Sequence, residues 1–191
     1  FVDFEGDLIR NPYHDTNVIM LWDENYFYFA ALMEEPHVWG KLTERDAVIY
    51  KDNDFEIFLD PDGDTHNYYE LEVNALGTEW DLILLKPYHD EDKVVIDSWD
   101  IPDLITKVHV DGTLNDPSDK DRAWSLEIAI PWKAFISNYR TNTPPKDGEQ
   151  WKVNFSRVHW ETDIIDGDYV KKDAREFNWV WSPQGLIYMH M

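Results

Sequence analysis

The sequence predicts an antiparallel β-sandwich of immunoglobulin or jelly-roll type, with long loops and one short helical turn. Three observations carry this. About ten short runs rich in β-branched and aromatic residues are punctuated by turn clusters. Tyr68 to Ala75 alternates strictly, with Tyr69, Leu71, Val73 and Ala75 set against Glu70, Glu72 and Asn74. No long segment repeats its apolar residues at helical spacing. A chain of 191 residues is large enough to bury a sizeable core, so one domain spanning 1–191 is expected.

The elements follow in order. Val18–Trp22 and Tyr26–Met33 flank Asp23-Glu24-Asn25 and read as a hairpin. Phe55–Leu59 runs into Asp60-Pro61-Asp62-Gly63-Asp64, a strong turn signal. The alternating run at Tyr68–Ala75 is expected to be half-buried, with a carboxylate-lined outer face. Gly77-Thr78 separates it from a strand at Trp80–Leu85, and Pro87–Pro102 is an acidic loop. Ile105–Val110 and Ala123–Ile130 enclose the turn-rich Asp111–Arg122. Pro131–Phe135 suits a single helical turn with proline at an early position. Trp151–Trp160 and Gly185–His190 complete the strands. Trp22, Trp124 and Trp151 are expected in the core.

Composition narrows the partners. Ten tryptophans and ten tyrosines exceed what a core of this size needs, so some rings should lie at the surface. A net charge of -22 repels phosphate backbones and anionic lipid. A neutral polyhydroxylated ligand suits exposed rings, whose faces meet apolar C–H surfaces while neighbouring carboxylates accept hydrogen bonds from hydroxyls. Nucleic acid and membrane insertion are not expected; no run approaches the length of a transmembrane helix. Without cysteine there are neither disulfides nor thiolate metal sites. The chain starts at Phe1 and is read as a truncated or processed product.

Four segments then carry a family resemblance. They are LWDENYFYFAALMEEPHVW (Leu21–Trp39), DNDFEIFLDPDGDTHNYYELEVNALG (Asp52–Gly77), WSLEIAIPWKAF (Trp124–Phe135) and GEQWKVNFSRV (Gly148–Val158). In this order they resemble carbohydrate-binding module family 9 and its relatives. The resemblance implies a calcium-stabilised β-sandwich that binds a mono- or oligosaccharide without catalysis. It also implies a secreted, periplasmic or cell-surface bacterial protein, attached to or accompanying a glycoside hydrolase in polysaccharide degradation.

In such modules two aromatic rings sandwich a terminal sugar. One precedes the Glu-Ile-Phe strand and the other lies near the C-terminus. The first position falls on Tyr50, with Trp39 the nearest tryptophan. The second falls on Trp179 or Trp181, of which only one is expected to face outward. Glu56 matches the family's hydroxyl-accepting glutamate. Its partner on the next strand, an arginine in the family, is here Glu72; Arg45, Arg157 and Arg175 are candidate replacement donors.

Asp60, Asp62 and Asp64 are the expected calcium ligands, because carboxylates at alternate positions in a tight turn can converge on a hard cation. The turn is not an EF-hand: Gly63 occupies the fourth loop position and Leu71 the twelfth. Asp116, Asp119 and Asp121 form a weaker second cluster. No phosphate-binding glycine loop, Gly-x-Ser-x-Gly elbow or His-Glu-x-x-His is present, and no carboxylate pair is singled out for glycoside hydrolysis. Two alternatives stay open. One is a structural or protein-interaction module. The other is a haem-binding, cytochrome-like electron-transfer domain on the same sandwich, for which Met189 and His190 would be axial ligands.

Overall fold

The computed structural model describes residues 1–6, 11–87, 95–135, 143–172 and 175–183. The expected strand at Gly185–His190, the haem-ligand candidates Met189 and His190, and part of the Pro87–Pro102 loop lie outside these residues.

Thirteen strands are described: β1 (Val2–Asp3), β2 (Thr16–Trp22), β3 (Tyr26–Glu34), β4 (Asp54–Asp60), β5 (Tyr68–Asn74), β6 (Glu79–Leu84), β7 (Val95–Ile96), β8 (Ile105–Asp111), β9 (Ala123–Pro131), β10 (Lys152–His159), β11 (Thr162–Ile165), β12 (Asp168–Lys171) and β13 (Phe177–Val180). A seven-stranded sheet runs β1-β13-β10-β4-β5-β6-β7 and a four-stranded sheet runs β2-β3-β9-β8. β11 and β12 form a separate hairpin. The pairings are antiparallel throughout. The expected sandwich is therefore present, and each of the long predicted strands within the described residues is found within two residues of its expected bounds.

The core lies between the two sheets. β3 and β9 contribute Phe27, Phe29, Ala31, Met33, Leu126, Ile128 and Ile130 from one side. β4, β5 and β10 contribute Phe55, Ile57, Leu59, Leu71, Val73 and Phe155 from the other. These residues recur at every second position, which is the period of a strand with one face inward. Trp124 is fully buried, as expected, and Trp151 is partly buried against the rings of Trp132 and Phe135. Trp22 is not in the core: it is 72% exposed. It is the last residue of an edge strand, and Trp132 takes the place beside Phe27 instead, stacked at 5.2 Å. Trp132 comes from the predicted helical turn, observed as a 3-10 turn at Trp132–Ala134.

The second face of the large sheet differs from expectation. Every residue of β4 and β5 is buried, including the outward carboxylates. A smaller apolar cluster of Phe58, Tyr68, Leu82 and Leu84, flanked by Trp80 and Val95, covers part of this face. The alternation in β5 reports which way each side chain points. It does not report what is packed over the polar side.

Candidate carbohydrate-binding face

Register places the outward side chains in rungs across the large sheet. Ser156, Glu56, Glu72 and Trp80 form one rung; Val158, Asp54 and Asn74 form the next; Asn154, Phe58, Glu70 and Leu82 form the third. Asp54, Glu56, Glu70 and Glu72 are each at most 3% exposed. One oxygen each from Asp54, Glu56 and Glu72 lies within 4.8 Å of the others.

Burial in low dielectric, followed by the charge of Glu56, pushes the Asp54 and Glu70 carboxyls well above the usual carboxylate range. The same two causes, with Asp54 and Glu70 adding to the repulsion, do so for Glu72. Burial pushes Glu56 up to about 7, against a lowering by the Ser156 hydroxyl. At this separation two ionised carboxylates repel by roughly 3–4 kcal/mol at an effective dielectric of 20.

Tyr50 stands over this face on a 3-10 turn, Ile49–Lys51, and is 38% exposed. Its backbone N–H donates to Glu72 Oε2 at 2.9 Å, which pins the turn to β5. Its ring lies 6.5 Å from that of Trp80 at an interplanar angle of 33°. Trp80 is partly exposed and completes an aromatic shelf beside the carboxylates. Sequence reasoning did not single out Trp80; the available signal was its place two strands from Glu56 on the same face, which requires the register to be known.

The other expected rings are placed differently. Trp39 is 2% exposed, covered by Tyr169, Trp160 and Val158. It reaches only the edge of a cavity of about 450 Å³ shared with Lys41, Lys51, Asp52 and Lys171. The β11–β12 hairpin lies over it, and the Lys171 ammonium sits 3.5 Å from the centre of the Trp160 ring. Trp179 is 0% exposed. It is paired with Arg157 on the core side, stacked on His159 at 4.7 Å with Tyr13 at 5.1 Å.

Trp181 is the exposed one of the pair, at 52%. Strand alternation does not separate Trp179 from Trp181, since residues two apart share a face. β13 ends at Val180, and Trp181 escapes burial because it lies beyond that end. Its ring meets Phe155, a core residue, at 5.6 Å. Three strand spacings, roughly 14 Å, separate β13 from the strand beneath Tyr50. Among the described residues no ring contact joins Tyr50 to Trp181.

None of the candidate arginines reaches the carboxylates. Arg157 points to the opposite face, where it donates to Glu35 Oε2 at 3.1 Å and to the Glu34 carbonyl at 2.7 Å. Arg45 is held by Glu79, by Asp81 at 2.6 Å and by Asp100 at 3.0 Å. Arg175 is exposed.

Asp60, Asp62 and Asp64 do converge, with one oxygen each within 4.8 Å. Asp60 also closes its own turn, accepting from the Gly63 and Thr65 N–H groups at 2.9 Å each. His66 adds its N–H to Asp64 Oδ1 at 2.9 Å. Asp121 of the weaker cluster is occupied structurally. It accepts from the Val38 and Thr113 N–H groups at 2.6 Å, an approach so close that a Cβ on Gly112 would fall 2.0 Å from its oxygen.

The sequence profile of carbohydrate-binding family 9 matches residues 19–163. This chain belongs to that family. Among solved structures, a Bacteroides uniformis ATCC 8492 protein provisionally assigned as carbohydrate-binding superposes with a TM-score of 0.61 at 18% identity, covering 91% of this chain and 72% of its own. A family 9 module from Caldicellulosiruptor kristjanssonii in complex with cellotriose gives 0.51 at 17% identity, over 89% and 67%. A family 9 module from the same organism in complex with glucose gives 0.50 at 18% identity, over 89% and 69%. No curated protein matches the chain. The family 9 assignment agrees with the sandwich described above, and the similar structures share its fold.

Proposed function

We propose that this chain binds a mono- or oligosaccharide, without catalysis, on the outer face of the seven-stranded sheet around Tyr50, Trp80, Glu56 and Glu72. One observation carries the reading: an exposed aromatic shelf stands directly beside buried hydrogen-bond acceptors. A sugar ring has an apolar C–H face for the shelf and hydroxyl donors for the carboxylates. A single shelf and a few hydrogen bonds give micromolar to millimolar affinity. Trp181 is a separate exposed ring just past the end of β13, against the core residue Phe155, and is not part of this face.

Calcium at Asp60, Asp62 and Asp64 is part of the proposal. The donor set is all oxygen, and its carboxylates keep lone pairs beyond those used by the Gly63, Thr65 and His66 N–H groups. Bound there, calcium would supply charge neutralisation and hold the turn. The setting that suits such a module is outside the cytoplasm, attached to or beside a glycoside hydrolase.

A second reading is favoured by one observation. The outer face of the four-stranded sheet exposes Ile19, Leu21, Leu32 and Ile105 on adjoining rungs. Such a patch suits a protein interface. Tryptophan fluorescence during titration with a panel of mono- and oligosaccharides separates the two. Saturable change for a sugar, weakened in Tyr50→Ala, supports carbohydrate binding; no response to any sugar favours the interface.

A further inference from the structure

Buried carboxylates in this protein are normally satisfied. Asp52 Oδ2 accepts from the Lys41 and Leu42 N–H groups at 2.7 and 2.8 Å. Asp81 accepts from Arg45 and the Ile101 N–H, Asp121 from two backbone N–H groups, and Glu35 from Arg157 and Asn53. The exceptions sit together. Neither oxygen of Asp54 nor Oε2 of Glu56 meets a donor in full hydrogen-bond geometry among the described residues; the Val158 N–H beside Asp54 and the Ser156 hydroxyl beside Glu56 only soften their charge.

Glu72, opposite Glu56, completes a triad whose nearest oxygens lie within 4.8 Å. The described arginines are engaged elsewhere or exposed, and among the described residues no ion pair is made to Asp54, Glu56 or Glu72. Like charges directly opposed across strands destabilise a sheet. A buried polar atom without a partner carries its desolvation cost in full. Both costs vanish if a cation occupies the centre of the triad.

We infer that Asp54, Glu56 and Glu72 hold one hard divalent cation, best matched by calcium, within the sugar-binding face and apart from the Asp60 turn. Three carboxylates supply between three and six oxygen ligands, which suits the larger, flexible shell of calcium better than the fixed octahedron of magnesium. Trp80 shares the rung of Glu72 and the Tyr50 turn is pinned to it, so vicinal hydroxyls of a sugar on that shelf would complete the shell. Contact with hydroxyls rests on the carbohydrate-binding reading; the cation site stands without it. In place of the arginine that the family resemblance leads one to expect, Glu72 then recruits positive charge in the form of a metal ion.

The test uses the chelator-treated protein and terbium(III), a hard cation whose luminescence is excited through nearby tyrosine and tryptophan. Crystals of the wild-type protein soaked in terbium should give an anomalous peak bounded by Asp54, Glu56 and Glu72. In solution, terbium luminescence displaced by calcium should weaken at least tenfold in apparent affinity in Asp54→Asn and persist in Asp62→Asn/Asp64→Asn. A peak confined to the Asp60 turn overturns the inference, as does undiminished binding by a folded Asp54→Asn protein. Should that variant fail to fold, the wild-type soak alone decides. Sugar titration with and without calcium separates the two readings. A bound cation with calcium-dependent sugar affinity supports both. A bound cation with calcium-independent sugar affinity overturns the hydroxyl contact alone. A bound cation with no sugar binding overturns the carbohydrate reading and leaves the cation site in place.

Discussion

Glu56 and Glu72 face each other directly across β4 and β5, both buried, on the same side of the sheet as the ring of Trp80. A pair of glutamates in this relationship costs stability unless something positive or protonated lies between them. Their pairing beneath an aromatic shelf is the reason this rung is proposed as the functional part of the sheet.

Removing one charge from that pair should therefore have opposite effects with and without metal. In chelator at pH 8, Glu72→Gln should melt above wild type by roughly 2–4 °C, the equivalent of about 1 kcal/mol in a domain of this size. In excess calcium the order should reverse. Differential scanning calorimetry in both buffers checks the prediction, and an identical ranking in the two would sink it.

Tyr50→Ala and Trp80→Ala should each weaken sugar affinity about fivefold, since a stacking contact contributes about 1 kcal/mol beyond area burial. Trp181→Ala should change affinity for a monosaccharide by less than about twofold, because its ring lies about three strand spacings away. Calorimetric titration of the three variants with the same sugar is the measurement.

A second buried charge group predicts a pH response. Glu35 accepts from Arg157 at 3.1 Å, lies 3.2 Å from His159 Nδ1 and also faces Asn53 and His14. Burial raises its carboxyl, but the His159 ring at 3.2 Å, with Arg157 and His14, outweighs that and holds it below the usual range. The folded pKa is thus depressed. The stability it contributes is complete above the unfolded value of about 4.3 and is lost as pH falls through the folded value. Glu35→Gln should cost about 3 kcal/mol at pH 7, by leaving Arg157 buried without its counter-charge, and should flatten the loss of stability below about pH 4. Urea unfolding from pH 3 to 7 tests both parts; parallel pH profiles for variant and wild type would contradict the assignment.

Two tryptophans expected alike in the core should behave differently. Trp124→Ala removes a fully buried ring and should cost about 3–5 kcal/mol. Trp22→Ala removes a largely exposed one and should stay within about 1 kcal/mol. Equilibrium denaturation of both variants measures the contrast, and equal losses would mean that Trp22 is covered in solution.

The long strands, the hairpin at Asp23-Glu24-Asn25 and the inward set Phe55, Ile57, Leu59, Leu71 and Val73 were legible without coordinates. Period-two alternation is a local property, and turn residues mark its ends. The short strands β1, β7, β11, β12 and β13 were not, because two to four residues hold no period and depend on a partner strand elsewhere in the chain. Of the proposed site, Tyr50, Glu56 and Glu72 were named from the sequence. Trp80 was not, since its neighbours across the sheet follow from the register of β4, β5 and β6.

What the sequence by itself determined was the sandwich class, the family, and a surplus of aromatic rings on an acidic chain. Alternation, motif order and composition are all written along the chain. Tertiary structure alone decided which rings are reachable and which carboxylates are buried together. Trp39 and Trp179 were covered, Trp181 and Tyr50 left open, and four carboxylates gathered on one buried face, because burial and charge proximity depend on what the opposite end of the chain packs over each face.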